Sequence, residues 1–531
     1  MKVSDFIISC LETEKVEYVF GIVGKETIDL ADSLSKSTQI QFVNVRHEQG
    51  AAFMADVYGR LAGKAGVCFS TLGPGATNLM TGIASAQLDH SPLVALIGQA
   101  DVARNHPESH QYLDIVTLTE PVTKWNTQIM NSQTVHVTIR NAFRMATMEK
   151  PGAVAVVLPE NFLTQQISAK PLPVQPLPQT VPAVETIEAA RTRIQNSRKP
   201  FLLVGNGVIR EDATQELQAL IDTLQAPVAH SFMAKGILPK EHSFNYFTFG
   251  FAEKDEVIAG TQECDLIISI GLDLVESPTK NWNDRKMPVL HIDTLPAEVN
   301  EYYPVEIECV GNIKKTLQSL NQLGLPTKSW VPAGNLKEKI MTAHQISDAQ
   351  SKPSGSPLSI EQILYCIEAV AAENTILISD VGAHKVSIAR TYQPKQPNRV
   401  IISNGLASMG IALPGSIGAK LACPDDPVIC ITGDGGAVLN IAELETAKRL
   451  GLSFMIIVLN DSMLKLEVQQ MNKRFGESYG VTYKNPDFVQ LAESFGIKGK
   501  KVKTIEEFEV VLKENLHRQE EIVLVEVVMP N

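Results

Sequence analysis

Short apolar runs alternate along the chain with longer stretches whose apolar positions recur at helical spacing. Gln41–Val45, Val67–Ser70 and Leu93–Ile97 read as strands. Residues 49–62 read as a helix, as does the stretch from a Gly-rich turn to about Leu88. Strands that alternate with helices predict a parallel sheet. The rhythm returns in a second block, where Phe201–Val204, Asp265–Ile270 and Val289–Ile292 are strand candidates. A third block holds the clearest unit. There Val428–Thr432 is a buried strand, Gly433-Asp-Gly-Gly a tight turn and residues 440–450 an amphipathic helix. Phe454–Leu459 is the next strand and ends in Asn460-Asp461.

Two irregular stretches divide these blocks. Five prolines between 171 and 182 forbid regular structure in a first linker at 166–185. A second, about 323–357, ends in Ser351-Lys-Pro-Ser-Gly-Ser-Pro, with room for a helix in its middle. Three domains follow, at 1–165, 186–330 and 358–531. The 531 residues are long enough to bury three such cores. No short-period repeat is visible, which excludes a solenoid.

The net charge of −12 argues against nucleic acid or an anionic membrane as the main partner. An anionic substrate must then be met by a local site, not by the overall field. The seven cysteines form no CxxC pair and are odd in number, so buried free thiols in a reducing compartment are expected. The opening Met1-Lys-Val-Ser-Asp lacks a signal-peptide pattern, and no apolar run reaches the roughly 18 residues that span a bilayer. A cytoplasmic protein is the expectation.

In a parallel βαβ unit both strand ends open on one edge of the sheet, so Asp434 and Asp461 share a rim. Two hard oxygen ligands beside a glycine turn suit magnesium, which binds together with diphosphate oxygens. Gly435 and Gly436 let the backbone approach a phosphate. Alone, Gly-Asp-Gly reads as an acidic loop; the strand–turn–helix–strand–Asn-Asp arrangement reverses that reading. Glu48 ends a strand and opens a helix. By itself it is an acid favoured by the helix dipole, but it can also serve as a carboxyl group beside a heterocycle. Thr71-Leu-Gly-Pro-Gly-Ala-Thr-Asn78 adds a Gly-Pro-Gly turn between strand and helix. No GxGxxG with an acid ~20 positions on follows a first strand, which disfavours a dehydrogenase.

These segments resemble the thiamine-diphosphate-dependent acetolactate synthase family over nearly the whole chain. RHEQGAAFMADVYGR at 46–60, TLGPGATN at 71–78, SPLVALIGQ at 91–99, SNGLASMGIALP at 403–414 and ITGDGG at 431–436 stand in the family's order. SFMAKGILP and HIDTLPAEV of the middle block also match. The resemblance implies an α/β fold of three doubly wound parallel-sheet domains: pyrimidine-binding, central and diphosphate-binding. It implies thiamine diphosphate and Mg2+ as cofactors. Glu48 would activate the pyrimidine ring, and Gln111, in His110-Gln-Tyr-Leu-Asp, would approach substrate. Gly382, Ala383 and His384 would lie at the diphosphate end, and Met409 under the cofactor. Asp434, Asp461 and the backbone oxygen of Met463 would hold the metal. The implied reaction decarboxylates pyruvate and condenses the two-carbon unit with a second pyruvate to 2-acetolactate and CO2. Another thiamine-diphosphate 2-keto acid decarboxylase or a pyruvate oxidase is the alternative; a non-catalytic binding protein on the same fold is remote, because Glu48, Asp434 and Asp461 are all present. The half-sites meet between subunits in this family, which implies a homodimer or homotetramer.

The chain departs from the family at Val23, where proline is usual, and at Lys25-Glu26, which puts an acid where some pyruvate-using members carry lysine. Ser462-Met-Leu-Lys replaces the usual Gly-Tyr, and Gln470 stands where FAD-containing members carry tryptophan. The last point favours the FAD-free, catabolic-like group, so FAD is not expected. Gly205-Asn-Gly207 is too short a signal for a nucleotide site.

Overall fold

A computed structural model describes residues 1–250, 255–346, 358–516 and 521–530. It contains three six-stranded sheets in which every strand pair is parallel. The first is built from β1 (Tyr18–Gly21), β2 (Gln41–Asn44), β3 (Gly66–Ser70), β4 (Leu93–Gln99), β5 (Trp125–Gln128) and β6 (Ala153–Pro159), in the order β2-β1-β3-β4-β6-β5. The second is built from β7 (Pro200–Val204), β8 (Val228–His230), β9 (Asn245–Thr248), β10 (Leu266–Ile270), β11 (Val289–Asp293) and β12 (Val305–Val310), in the order β12-β11-β10-β7-β8-β9. The third is built from β13 (Ile376–Ser379), β14 (Val400–Ile402), β15 (Val428–Gly433), β16 (Met455–Asn460), β17 (Lys498–Val502) and β18 (Val523–Val528), in the order β14-β13-β15-β16-β18-β17. Counted from its own first strand, the third sheet repeats the order of the first. The central sheet has the different order of dinucleotide-binding folds.

The inner strands β3, β4, β6, β7, β10 and β11 are buried along their length, which is why they read as unbroken apolar runs. The edge strand β17 carries Lys498, Lys500 and Lys501, charges that discourage edge-to-edge pairing. The strands read from the sequence are present, with ends moved by one or two residues. Residues 168–183 hold no helix or strand, as the prolines require, and the middle of the second linker forms the helix Leu336–Ala343. The Ser351–Pro357 end of that linker lies outside the described residues.

One reading is corrected. Gly433-Asp-Gly-Gly is not a free turn: the helix Asp434–Leu439 begins directly where β15 ends. The helix expected over 440–450 is reduced to Glu443–Arg449. Asn440 ends the run with a non-helical backbone, φ −127 and ψ 23, and its side-chain amide donates to the Gly410 carbonyl at 2.7 Å.

The first and third sheets share one core. The helix Glu48–Ala62 is buried along most of its length and packs against the helix Ala412–Ala422. A Cβ at Gly418 would stand 2.3 Å from the Met54 carbonyl oxygen, so glycine permits this close approach. The central sheet has its own core. Among the described residues no helix is long and apolar enough to cross a membrane, and the seven cysteines are free, six of them buried.

Candidate functional site

The third sheet reverses its strand order between β13 and β15, and parallel sheets hold ligands beyond the strand ends at such a point. A cavity of about 100 Å³ opens there. Gly382, Ala383, His384, Met409, Asp434, Gly435, Gly436, Asp461 and Met463 all line it, so nine of the residues singled out in the sequence are brought together.

The Asp434 carboxylate is held from four sides. Its Oδ1 accepts from the Gly435 N–H at 2.8 Å and from the Tyr483 hydroxyl at 3.0 Å. Its Oδ2 accepts from the Ser462 N–H and the Asn485 amide, both at 2.6 Å. Asp461 pairs with Lys465 Nζ at 3.4 Å. Burial pushes the Asp461 carboxyl up, Lys465 opposes that, and the nearby Asp434 charge adds to it. Two acids in one cleft, of which Asp461 alone pairs with a lysine among the described residues, form a site that favours an added cation.

Asp380, at the end of β13, ties the floor together. Its Oδ1 accepts from the Val381 and Gly410 N–H groups at 2.7 and 2.8 Å, and its Oδ2 from the Thr432 hydroxyl at 2.9 Å. Burial pushes its carboxyl up to about 6. A Cβ at residue 436 would stand 2.7 Å from Asp380 Oδ2, so only glycine fits there. His384 lies buried beside Gly382 and Gly433, and burial pulls its imidazole down to about 4. Among the described residues its Nε2 has no partner, and a buried polar atom left so is costly unless a ligand satisfies it. Glycine backbone, an unpartnered imidazole nitrogen and two carboxylates therefore fit a diphosphate held by a divalent ion. Tyr483 and Asn485 were missed in the sequence; they lie 49 and 51 positions from Asp434 in an irregular loop.

Glu48 occupies the carboxyl edge of the first sheet. His47 caps its helix by accepting from the Gln49 N–H at 3.1 Å. Glu48 is 8% exposed and accepts one hydrogen bond, 2.9 Å from the Asn78 amide. The turn before Asn78 runs through Gly73 at φ 57, a left-handed value suited to glycine. Gln111 packs against this turn, since a Cβ at Gly73 would lie 3.0 Å from its Cβ. Glu443 of the third domain fastens the segment before Glu48, accepting from the N–H groups of Arg46 and His47 at 3.0 and 3.1 Å. Among the described residues, however, no residue of the first domain lines the Asp434 cavity. Glu48 and Gln111 thus lie apart from the nine residues that line the cavity.

Residues 1–118 match the N-terminal TPP binding domain of thiamine pyrophosphate enzymes, 187–320 their central domain and 380–527 their C-terminal TPP binding domain. The chain is 33% identical to a probable acetolactate synthase large subunit of Methanocaldococcus jannaschii, across 100% of this chain and 92% of that protein. It is 30% identical to an acetolactate synthase of Bacillus subtilis, across 98% and 92% of the two chains. It is 31% identical to an acetolactate synthase large subunit of Haemophilus influenzae, across 99% and 94%.

Proposed function

The chain belongs to the acetolactate synthase family of thiamine pyrophosphate enzymes, and from that premise we propose that it removes carbon dioxide from pyruvate and joins the two-carbon remainder to a second pyruvate, giving 2-acetolactate in the cytoplasm. The observation that carries the reading is the cavity in which Asp434, Asp461, Gly435, Gly436, His384 and Met409 meet.

Thiamine diphosphate, when bound, supplies the nucleophilic carbon and the electron sink. Asp434, Asp461 and the Met463 carbonyl would hold Mg2+, a hard cation that prefers oxygen ligands. The N-terminus of the helix Ala383–Thr391, with Gly382 before it and His384 in its first turn, would receive the diphosphate. Met409 would form an apolar wall beneath the rings. Glu48, buried with one neutral donor, would share a proton with a pyrimidine nitrogen, and Gln111 would orient substrate. Met409, Leu464 and Leu466 line the cavity with apolar side chains, which would limit water around a bound substrate.

The separation of the half-sites supports a second copy of the chain as the group that completes the site, so a homodimer is the minimum and a homotetramer fits equally. Val438 and Leu439, beside the metal loop, are 44% and 59% exposed, an apolar surface suited to cover by that copy. FAD is not part of the proposal. In the central sheet, Asp273, after β10, and Asp293, the last residue of β11, pair with Arg210 and Lys150.

Mixing Glu48→Gln and Asp434→Ala variants, each inactive alone, tests the shared site. Restored acetolactate formation in the mixture is expected, because one intact site forms per mixed dimer. A mixture as inactive as its parents would place both half-sites within one chain.

A further inference from the structure

The first sheet also reverses its strand order, between β1 and β3, and the loops beyond these two strands carry Glu26 and Thr71. Glu26 is 5% exposed, and its Oε2 accepts from the Thr71 hydroxyl at 3.0 Å. Its carboxylate thus bridges the two sides of the crevice. Gly24 leaves room for the bridge, since a Cβ there would stand 2.6 Å from Thr71 Oγ1. Thr71 also adjoins the second acid: a Cβ at Gly75 would lie 3.1 Å from Thr71 Cγ2 and 3.3 Å from Glu48 Oε1. Among the described residues, neither Glu26 nor Glu48 pairs with a lysine, arginine or histidine; their partners are the neutral Thr71 and Asn78. Two buried acids therefore share one wall of the half-site with only neutral donors.

The chemistry above employs Glu48 and leaves Glu26 without a task. We propose that Glu26 is a specificity-determining residue that selects 2-keto acids with short, uncharged tails. A 2-keto acid brings one carboxylate of its own. A second carboxylate on its tail would meet Glu26 in a region of low effective dielectric, where like charges repel more strongly than in water. Discrimination then comes from repulsion of the wrong substrate, with Thr71 fixing the repelling group in place. The assignment rests on the 2-keto acid chemistry proposed above.

The test uses the cofactor-loaded full chain and Glu26→Gln, which keeps the size of the side chain and an oxygen for Thr71. The ratio of kcat/KM for pyruvate over 2-oxoglutarate is expected to fall about tenfold or more, with the change in KM for 2-oxoglutarate. Calorimetric binding of methyl acetylphosphonate, singly charged with an uncharged tail, and methyl succinylphosphonate, doubly charged because its tail ends in a carboxylate, provides a readout without turnover. Glu26→Gln is expected to tighten the doubly charged compound relative to the singly charged one, and Glu26→Asp to keep the wild-type preference. If Glu26→Gln does not fold, Thr71→Val, which frees the carboxylate, is expected to lower both preferences. An unchanged charge preference in a folded, cofactor-bound variant overturns the role of Glu26, as does weaker cofactor binding without a change in preference. A wild-type enzyme that binds neither phosphonate overturns the substrate reading itself.

Discussion

The third and central sheets both reverse their strand order beside glycine-bearing loops, and they treat that crevice in opposite ways. In the third, Asp434 and Asp461 line a cavity of about 100 Å³ with one lysine against them. In the central sheet, a Cβ at Gly205 would stand 2.3 Å from the Gly271 carbonyl oxygen, so the two loops are packed backbone to backbone. Arg210 holds Asp273 at 2.7 Å, and Lys150 of the first domain reaches both Asp273 and Asp293 at 3.1 Å. Burial alone would raise the Asp273 carboxyl, but Arg210 and Lys150 hold it far below the usual range. Strand order alone therefore does not make a site. An open cavity lined by acids, with a lysine pairing Asp461, makes one, whereas acids packed against Arg210 and Lys150 make a domain joint.

The comparison is broken most directly by removing one acid from the third crevice. Asp434→Ala is expected to abolish magnesium-dependent cofactor binding and to lower turnover by about a thousandfold or more, measured by calorimetry and product assay. In the central crevice, Arg210→Ala is expected to leave cofactor affinity intact and to cost about 3–5 kcal/mol of stability, because it strands buried carboxylates. Denaturant titration checks this, and a loss of cofactor affinity without a loss of stability would reverse the contrast.

A smaller effect concerns the contact between the two regions. Lys235 of the central domain is 1% exposed and donates to the Ala389 carbonyl at 2.7 Å, on the helix that carries His384. Burial pulls its amine down to about 7. The unfolded lysine, which titrates near 10.4, then binds more protons than the folded one between these values, so this group makes stability rise with pH from about 7 towards 10. Lys235→Met is expected to flatten that rise, read from unfolding midpoints at pH 7 and 9. The smallest effect is at Ser462, which adopts φ 59 while its N–H serves Asp434. Ser462→Gly is expected to gain up to about 1 kcal/mol in the same titration with the metal loop intact.

Much of the third crevice was legible because a parallel βαβ unit forces the ends of β15 and β16 onto one rim, whatever their separation in sequence. That rule places Asp434 and Asp461 on one rim; their assignment as metal ligands, and that of Glu48 as the pyrimidine activator, came from the family resemblance. Tyr483 and Asn485 were not legible, since no periodicity marks the loop that folds back onto Asp434. The helix start at Asp434 was hidden by its glycines, which favour a turn in isolation but are fixed here by packing against Asp380. The Arg210–Asp273–Lys150 cluster was equally hidden, because it joins two domains through charges that read singly as solvated surface. The family resemblance, not the spacing of the residues, implied that Glu48 and the Asp434 cavity belong to separate half-sites.

The central claim is tested most directly by giving the purified protein thiamine diphosphate, magnesium and pyruvate and measuring carbon dioxide and 2-acetolactate together. About one acetolactate per carbon dioxide is the predicted result. Carbon dioxide released with acetaldehyde and no acetolactate would contradict it and make the chain a simple decarboxylase.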